Sequence, residues 1–487
     1  ISDALSEFEL LYFEGFEYLD NRYQSALLNN LAICYLNTGQ FERYIDFQLE
    51  AFEIAENQEN HSQQLSILRN LFIYYRRQNE AEMASNYLNQ ALELAQENEL
   101  LSETASILLS LGIYTRETQN RPRESLQHFQ EALSLASETE NYQQVFNSNV
   151  DLAETYYMMG ETESAEKHFR NAVELSSQRE DERNVTQASV RFARMLIDEN
   201  RYGEAEEVMS DVSENDILQI PFYLQALAQN VVVQLLQERG EIEEAVDVAS
   251  ENINRVLDWL RDSADLQTGH MRMDDEFTEA FRIYTNLLYK NGEIEKALAL
   301  SGEVRNLSRA GFYNNPLLKS KILSEEELVR DYNLSRRIQR LRNSYASASN
   351  DQKVDISNQL AVAISERNEL QQGAFPNYDE TQYEDSIPET LDQLKRDEMI
   401  LYFSVFNEQI FQFFITRSGI EMRAYPQNLS YLETLNNAIE SLGYGQSDLH
   451  LLHDVYTTFF EGNIPESVEQ IYVIPDNRFF QLPIEIL

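Results

Sequence analysis

A small or turn-forming residue recurs about every forty positions through the first three hundred residues, and this period constrains the fold more than any other feature of the chain. Gly39, Asn79, Asn120, Gly160, Asn200 and Gly240 follow one another at intervals of 40, 41, 40, 40 and 40, and Gly292 comes 52 later. Five residues after each mark stand Tyr44, Ala84, Ser125, Ala165, Ala205, Ala245 and Ala297; seven before it stand Ala32, Phe72, Ile113, Ala153, Ala193, Val233 and Thr285. Gly and Asn tolerate the left-handed backbone that ends a helix. A small residue just inside the next helix lets the two helices approach closely. The pattern therefore predicts a helix, a tight turn and a second helix, repeated. Such a unit cannot bury its apolar stripe alone and must stack on its neighbours.

The residues at these positions resemble the tetratricopeptide repeat. The clearest copy is DLAETYYMMGETESAEKHFRNAVEL, with Leu152, Ala153, Tyr156, Gly160, Ala165, Phe169 and Ala172 in the family's core places, and QERGEIEEAVDVA follows it closely. Copy three departs: its turn, ETQNRPRES, holds an extra residue and a proline. The expected fold is mostly α: an α–α superhelical solenoid of about seven long repeats over residues 1–310, then a helical hairpin and a partial α/β lobe. The resemblance implies a concave groove that holds a protein or peptide. Its lining is expected on the first helix of each repeat, at Arg69, Ile73, Arg76, Arg194, Asn230, Gln234 and Gln237, where ion pairing between repeats is the competing role.

Composition narrows the partners. The formal net charge is −45, which opposes nonspecific contact between the whole surface and nucleic acid. It reads either as a solvated surface or as a groove selecting basic peptides. One stretch runs against it: Arg305, Arg309, Lys319, Lys321, Arg330, Arg336, Arg337, Arg340 and Arg342 face only Glu325, Glu326, Glu327 and Asp331. Docking onto the acidic solenoid is the expected role, with RNA or DNA contact as the alternative, although the aromatic interleaving that single strands use is missing. No apolar run approaches the length of a membrane span. The only cysteine, Cys34, sits in the first repeat as a small buried residue, so no disulfide framework forms within the chain and a cytoplasmic setting is expected. The chain begins with Ile1 rather than Met, and reads as starting within a longer product or as lacking a tag.

After Gly311 the forty-residue phase is lost. Ser324-Glu325-Glu326-Glu327 predicts a capped helix to about Ser344, and Val354, Ile356, Leu360, Ile364 and Leu370 predict a second helix pairing with it. Residues 311–375 are thus a helical hairpin, residues 376–390 an acidic linker, and residues 391–487 a further domain. There the period becomes strand-like: MILYFSVF and IFQFFITR flank Asn407-Glu408-Gln409 as a hairpin, and GIEMRAYP reads as a third strand. Helices over Leu429–Leu442 and Asp448–Phe460 follow, then a buried strand at Ile471–Ile474. The block Tyr472-Val473-Ile474-Pro475-Asp476 with Leu482-Pro483-Ile484-Glu485 resembles the first half of a CHAT domain, a caspase-like cysteine-peptidase family usually preceded by tetratricopeptide repeats.

That second resemblance implies a peptidase, but its thiolate and histidine follow the Leu-Pro-x-Glu block and no residue here matches them. No catalytic, cofactor-binding or metal residue is assigned, and no cofactor is expected. His450 and His453 lie one helical turn apart without further ligands and read as structural or solvent-facing. The expected function is the partner-sensing regulatory half of a bacterial defence peptidase, gated by a protein, peptide or ribonucleoprotein in the groove, with the catalytic lobe beyond Leu487. The alternative is a non-enzymatic scaffold with a structural α/β tail. If the tail stands alone, the phenylalanines of the 399–417 hairpin are expected to be covered on one face by the 324–371 helical pair and partly exposed on the other.

Overall fold

A computed structural model describes residues 2–37, 40–78, 80–265, 275–313, 323–347, parts of 356–370, 391–425 apart from 392, 437, 449–460, and 464–474 apart from 466. The chain divides into two compact units. One holds residues 1–224, 262–271 and 311–379; the other holds 225–261, 272–310 and 380–487.

The first unit opens with α1 (Ser2–Gly15), a 3-10 turn at Phe16–Tyr18 and α2 (Asn21–Asn37). There follow α3 (Phe41–Asn57), α4 (His61–Arg77), α5 (Ala81–Glu97), α6 (Leu101–Glu117), α7 (Pro122–Glu138), α8 (Tyr142–Met158), α9 (Thr162–Gln178) and α10 (Glu182–Asp198), each of 17 residues. Two such helices and two three-residue turns make the forty-residue period; the 118–121 connection is one residue longer and accounts for the interval of 41. The marks Asn120, Gly160 and Asn200 carry φ of 53°, 74° and 59°, the left-handed conformation expected of them. A second left-handed position was not anticipated: Glu59, Glu99, Glu140 and Glu180, with φ between 52° and 54°, turn the second helix of one repeat into the first of the next. Asn60, Asn141 and Asp181 then cap the incoming helices by accepting from the backbone N–H of Gln63, Gln144 and Asn184.

The two helices of a repeat are buried differently. Each second helix buries one stripe at the same four places: Tyr44, Gln48, Ala51 and Ala55 in α3; Ala84, Leu88, Ala91 and Ala95 in α5; Ser125, Phe129, Ala132 and Ala136 in α7; Ala165, Phe169, Ala172 and Ser176 in α9. The first helices are buried on more than one side, α10 through Val190, Phe192, Ala193, Met195, Leu196 and Ile197 among others. Close approach is specific: a methyl group added at Gly112 of α6 would lie 2.4 Å from Phe129 Cε1.

The pattern breaks in copy five. Its second helix, α11 (Tyr202–Met209), has 8 residues, and Ser213 then caps the single turn α12 (Glu214–Ile217) in a reciprocal capping box with Asp216. Next come α13 (Phe222–Arg239), α14 (Ile242–Asp265), α15 (Asp275–Lys290) and α16 (Ile294–Tyr313). The 24 residues of α14 contribute to the longer interval before Gly292. Gly240 and Gly292 keep the left-handed turn, with φ of 79° and 75°.

The expected helix after Ser324 is α17 (Glu325–Ser347), with Ser324 and Glu327 forming its cap. It pairs with helical residues between 356 and 370 through Arg367, whose Nε donates to the buried Asp331 carboxylate at 3.3 Å, and through Arg337 and Glu366 at 3.7 Å. Arg330, Arg336 and Arg340 are exposed along α17. The inward side of the helix is taken by Leu328, Asp331, Leu334, Ser335 and Ile338.

In the second unit the strands β1 (Glu398–Phe406), β2 (Gln409–Thr416), β3 (Gly419–Ala424) and β4 (Gln470–Ile474) form one mixed sheet in the order β3-β2-β1-β4. β1, β2 and β3 are antiparallel neighbours, and β4 runs parallel to β1. Asn407 and Glu408, both at positive φ, make the two-residue turn that the strand twist favours. One face carries Met399, Leu401, Phe403, Ile410 and Phe414, which pack with Val455, Phe459 and Phe460 of α18 (Leu449–Phe459) and the residue after it. Gln412 on that face is also buried; its Nε2 donates to the Phe459 carbonyl and its Oε1 accepts from the Tyr425 hydroxyl. The other face carries Tyr402, Phe406, Phe411, Phe413 and Ile415, all buried as well. The half-uncovered sheet expected from the sequence is therefore not what forms: β1 and β2 are buried on both faces, which is why they read as nearly continuous apolar runs. The acidic 376–390 linker, the helix expected over Leu429–Leu442 and the block from Pro475 onward lie outside the described residues.

Candidate interaction surfaces

The residues expected to line a groove fall into three environments. Arg69, Arg76 and Arg194 are exposed on first helices of the array. Arg76 lies over the Phe72 ring at 5.7 Å, and Arg194 pairs with Asp198 at 3.8 Å. Ile73 is half-buried against Phe72 and Tyr114. Gln234 and Gln237 of α13 are half-buried. Asn230 is inside the protein: its amide donates to the Glu276 carbonyl at 3.0 Å and its oxygen accepts from Asn252 at 3.1 Å, so it holds α13, α14 and α15 together. Its place on α13 turns it inward, where a polar side chain is retained because each of its groups has a partner.

A ladder of charge that sequence reasoning missed runs through the first helices of copies three to six. Arg116 of α6, only 5% exposed, donates to the Asp151 carboxylate at 3.1 Å, to the Asp151 carbonyl at 3.1 Å and to Thr155 at 3.2 Å on α8. Glu154, one turn on, lies 3.5 Å from Arg116 and accepts from Arg191 Nε of α10 at 2.7 Å. Arg191 reaches on to the Tyr223 hydroxyl at 3.1 Å. The signal was available, since Asp151 and Arg191 stand nine residues before their marks and Glu154 and Arg194 six before: opposite charges in the same phase of adjoining copies.

Burial dominates the acidity of this group. It pushes the Asp151 carboxyl up to about 7 against the pull of Arg116, with Glu154 adding to the rise. Burial also opposes ionisation of Glu154, but Arg191 and Arg116 together outweigh it and hold that carboxyl below its ordinary range. The ladder is satisfied within itself and fastens successive repeats; removal of one partner from such a pair costs far more than the intact pair contributes.

A second junction lies where the sheet meets α15. Phe406, at the end of β1, packs on Phe281 with ring centroids 5.6 Å apart. Gln409, at the start of β2, accepts from Asn286 and donates back to it at 3.1 Å, and Arg282 reaches the same Gln409 oxygen at 3.5 Å. Asn407 in the turn donates to Glu279. On the same face Arg305 of α16 lies over the Tyr402 ring at 5.5 Å. The tip residue Asn407 and both strand ends are held by α15 through Glu279, Phe281, Arg282 and Asn286. Among the described residues no group of His, Cys, Asp and Glu is arranged to hold a metal ion, and no helix is long and apolar enough to cross a membrane.

The family model for the tetratricopeptide repeat matches residues 23–97 and 103–178, the stretch from α2 to α9. These repeats are a protein-interaction scaffold. No curated protein matches the chain. Among solved structures, a monomeric mutant of IFIT1 with m7Gppp-AAAA is 15% identical over 75% of this chain and 83% of that one, at a TM-score of 0.27, which says nothing about what this chain binds. The matched residues carry tetratricopeptide repeats.

Proposed function

We propose that the repeats are the partner-sensing half of a caspase-like cysteine peptidase, and that the C-terminal sheet is the base on which its catalytic lobe is built. A protein or peptide partner, alone or within a ribonucleoprotein, binds the array through exposed residues of the first helices, with Arg69, Arg76 and Arg194 as leading candidates and Ile73, Gln234 and Gln237 beside them. The observation that carries the reading is the grip of α15 on the hairpin tip. A stacked array that shifts on binding moves its last helices, and here the last repeat is hydrogen-bonded to the ends of β1 and β2. The resemblance of residues 385–487 to the first half of a CHAT domain supplies the chemistry, a thiolate activated by a histidine. Cys34, buried in α2, suits a reducing cytoplasm.

The test is to read the encoded chain beyond Leu487 and to assay the product with and without co-purified partners. A histidine and a later cysteine after a strand, with cleavage that depends on partner binding, is expected. A stop codon at this point, or cleavage indifferent to loss of the array, overturns the peptidase reading and leaves the scaffold with a structural tail.

A further inference from the structure

Copy three is built against the grain of the other copies, and its departures meet in one place. One residue after the mark stand Glu80, Glu161, Glu241 and Glu293 in other copies, but Arg121 here; three after it stand Glu42, Glu82, Glu163, Glu243 and Glu295, but Arg123 here. Copy five also has an arginine at the first of these positions, Arg201, but it is clamped between Glu166 at 2.7 Å and Glu204 at 2.6 Å. The extra residue of the 118–121 connection lets the Arg121 N–H bond back to the Thr115 carbonyl, and Pro122 starts α7. In the neighbouring turn, two residues before its mark, Met158 replaces the polar Arg77, Asp198 and Glu238 of other copies and is 57% exposed.

These residues enclose an open pocket of about 510 Å³ lined by Arg121, Pro122, Arg123, Glu124, Met158 and Met159. Among the described residues the Arg121 side chain is held only by Glu124, at 3.4 Å with both side chains about half exposed or more. A pair of that kind contributes at most about 1 kcal/mol and exchanges readily for another carboxylate. Arg123 is exposed beside it. Guanidinium groups take carboxylates in two-point geometry, and methionines adapt to varied apolar shapes. We propose that this pocket anchors an acidic–apolar segment of a partner protein, with carboxylates on Arg121 and Arg123 and an aliphatic or aromatic side chain against Met158 and Met159. In a chain of net charge −45, two arginines replacing recurrent glutamates make a local exception that such a segment would find. The apolar floor and the carboxylate of Glu124 favour protein over nucleic acid.

This inference names partner chemistry for the scaffold and so rests on that reading, but its test is separate. A short fluorescent peptide alternating Asp and Glu with Leu and Phe is titrated with the whole chain by anisotropy. Two controls replace its acids by amides or its apolar residues by Ser. Arg121→Glu with Arg123→Glu restores residues that other copies carry at those positions, and Met158→Gln places a polar side chain at an exposed position, so the repeat is expected to fold. The wild type is expected to bind the parent peptide and neither control; the double arginine variant should bind at least about tenfold more weakly and Met158→Gln less tightly than wild type. Hydrogen exchange should slow at residues 118–124 and 156–161 on binding. Equal binding by wild type and variants, or no binding of the parent peptide, overturns the assignment while the assay of the extended chain still decides the scaffold's role. Self-association of the wild type that these variants abolish would give the pocket to a second copy, and also overturns it.

Discussion

The array from α3 to α10 and the sheet of the second unit bury comparable side chains by opposite routes. In the array each stripe meets the helix before or after it, and the same four positions recur in α3, α5, α7 and α9. In the sheet, Phe406 and Gln409 find Phe281, Arg282 and Asn286 more than 120 residues earlier in the chain. Local stacking makes stability nearly a sum of repeat and interface contributions. Non-local closure makes the sheet depend on a repeat that must already be in place. A disturbance in the array should therefore stay close to its origin, whereas one in α15 should appear in β1 and β2.

The largest expected effect tests the array. Arg116→Ala leaves Asp151 and Glu154 with one guanidinium fewer in a buried site and should cost about 3–5 kcal/mol in urea unfolding; a loss below about 1 kcal/mol would mean the ladder is only a surface pair. Overpacking should come next. Gly112→Ala, aimed at Phe129, and Ala165→Leu, at a fully buried position, should each cost about 1–3 kcal/mol. Hydrogen exchange should quicken in adjoining helices and stay unchanged in the sheet; spread of the effect to β1 would break the comparison. A smaller loss, about 1–2 kcal/mol, is expected for Asn286→Ala, which leaves the buried Gln409 short of a partner, and here the faster exchange should be in β1 and β2.

A further effect is a pH dependence. Asp151 titrates near 7 in the folded chain, above its unfolded value, so its contribution is complete below about pH 4 and is lost as pH rises through about 7. Glu154 is shifted the other way, and its contribution fades only as pH falls through its lowered folded value. The difference in stability between Asp151→Asn and wild type should move in favour of the variant from pH 4 to pH 7. A difference independent of pH would mean that Asp151 is ionised throughout.

The array was readable because every position is written several times: the marks from Asn120 on, the alanines five residues on and the 41-residue interval appear as helix ends, close contacts and a longer turn. Glu59, Glu99, Glu140 and Glu180 were equally periodic yet passed over, because glutamate carries no turn signature and takes left-handed backbone here under the constraint of two packed helices. Among the candidate surface residues, Arg69, Arg76 and Arg194 were placed on the solvent side, but periodicity put Asn230 there too. Its inward turn depends on Asn252 and the Glu276 carbonyl, partners that α14 and α15 supply. The strands were visible in their alternation and apolar runs. What covers them was not, since nothing in residues 399–416 indicates Phe281 or Asn286.

The most direct test is native-state hydrogen exchange on the whole chain, comparing wild type with the double variant Asn286→Ala, Gln409→Ala. The account predicts that amides of α15, β1 and β2 lose protection together while those of α8 and α9 keep theirs. Unchanged protection in β1 and β2 would show a sheet that stands without the last repeat and would contradict the coupling on which the proposed gating rests.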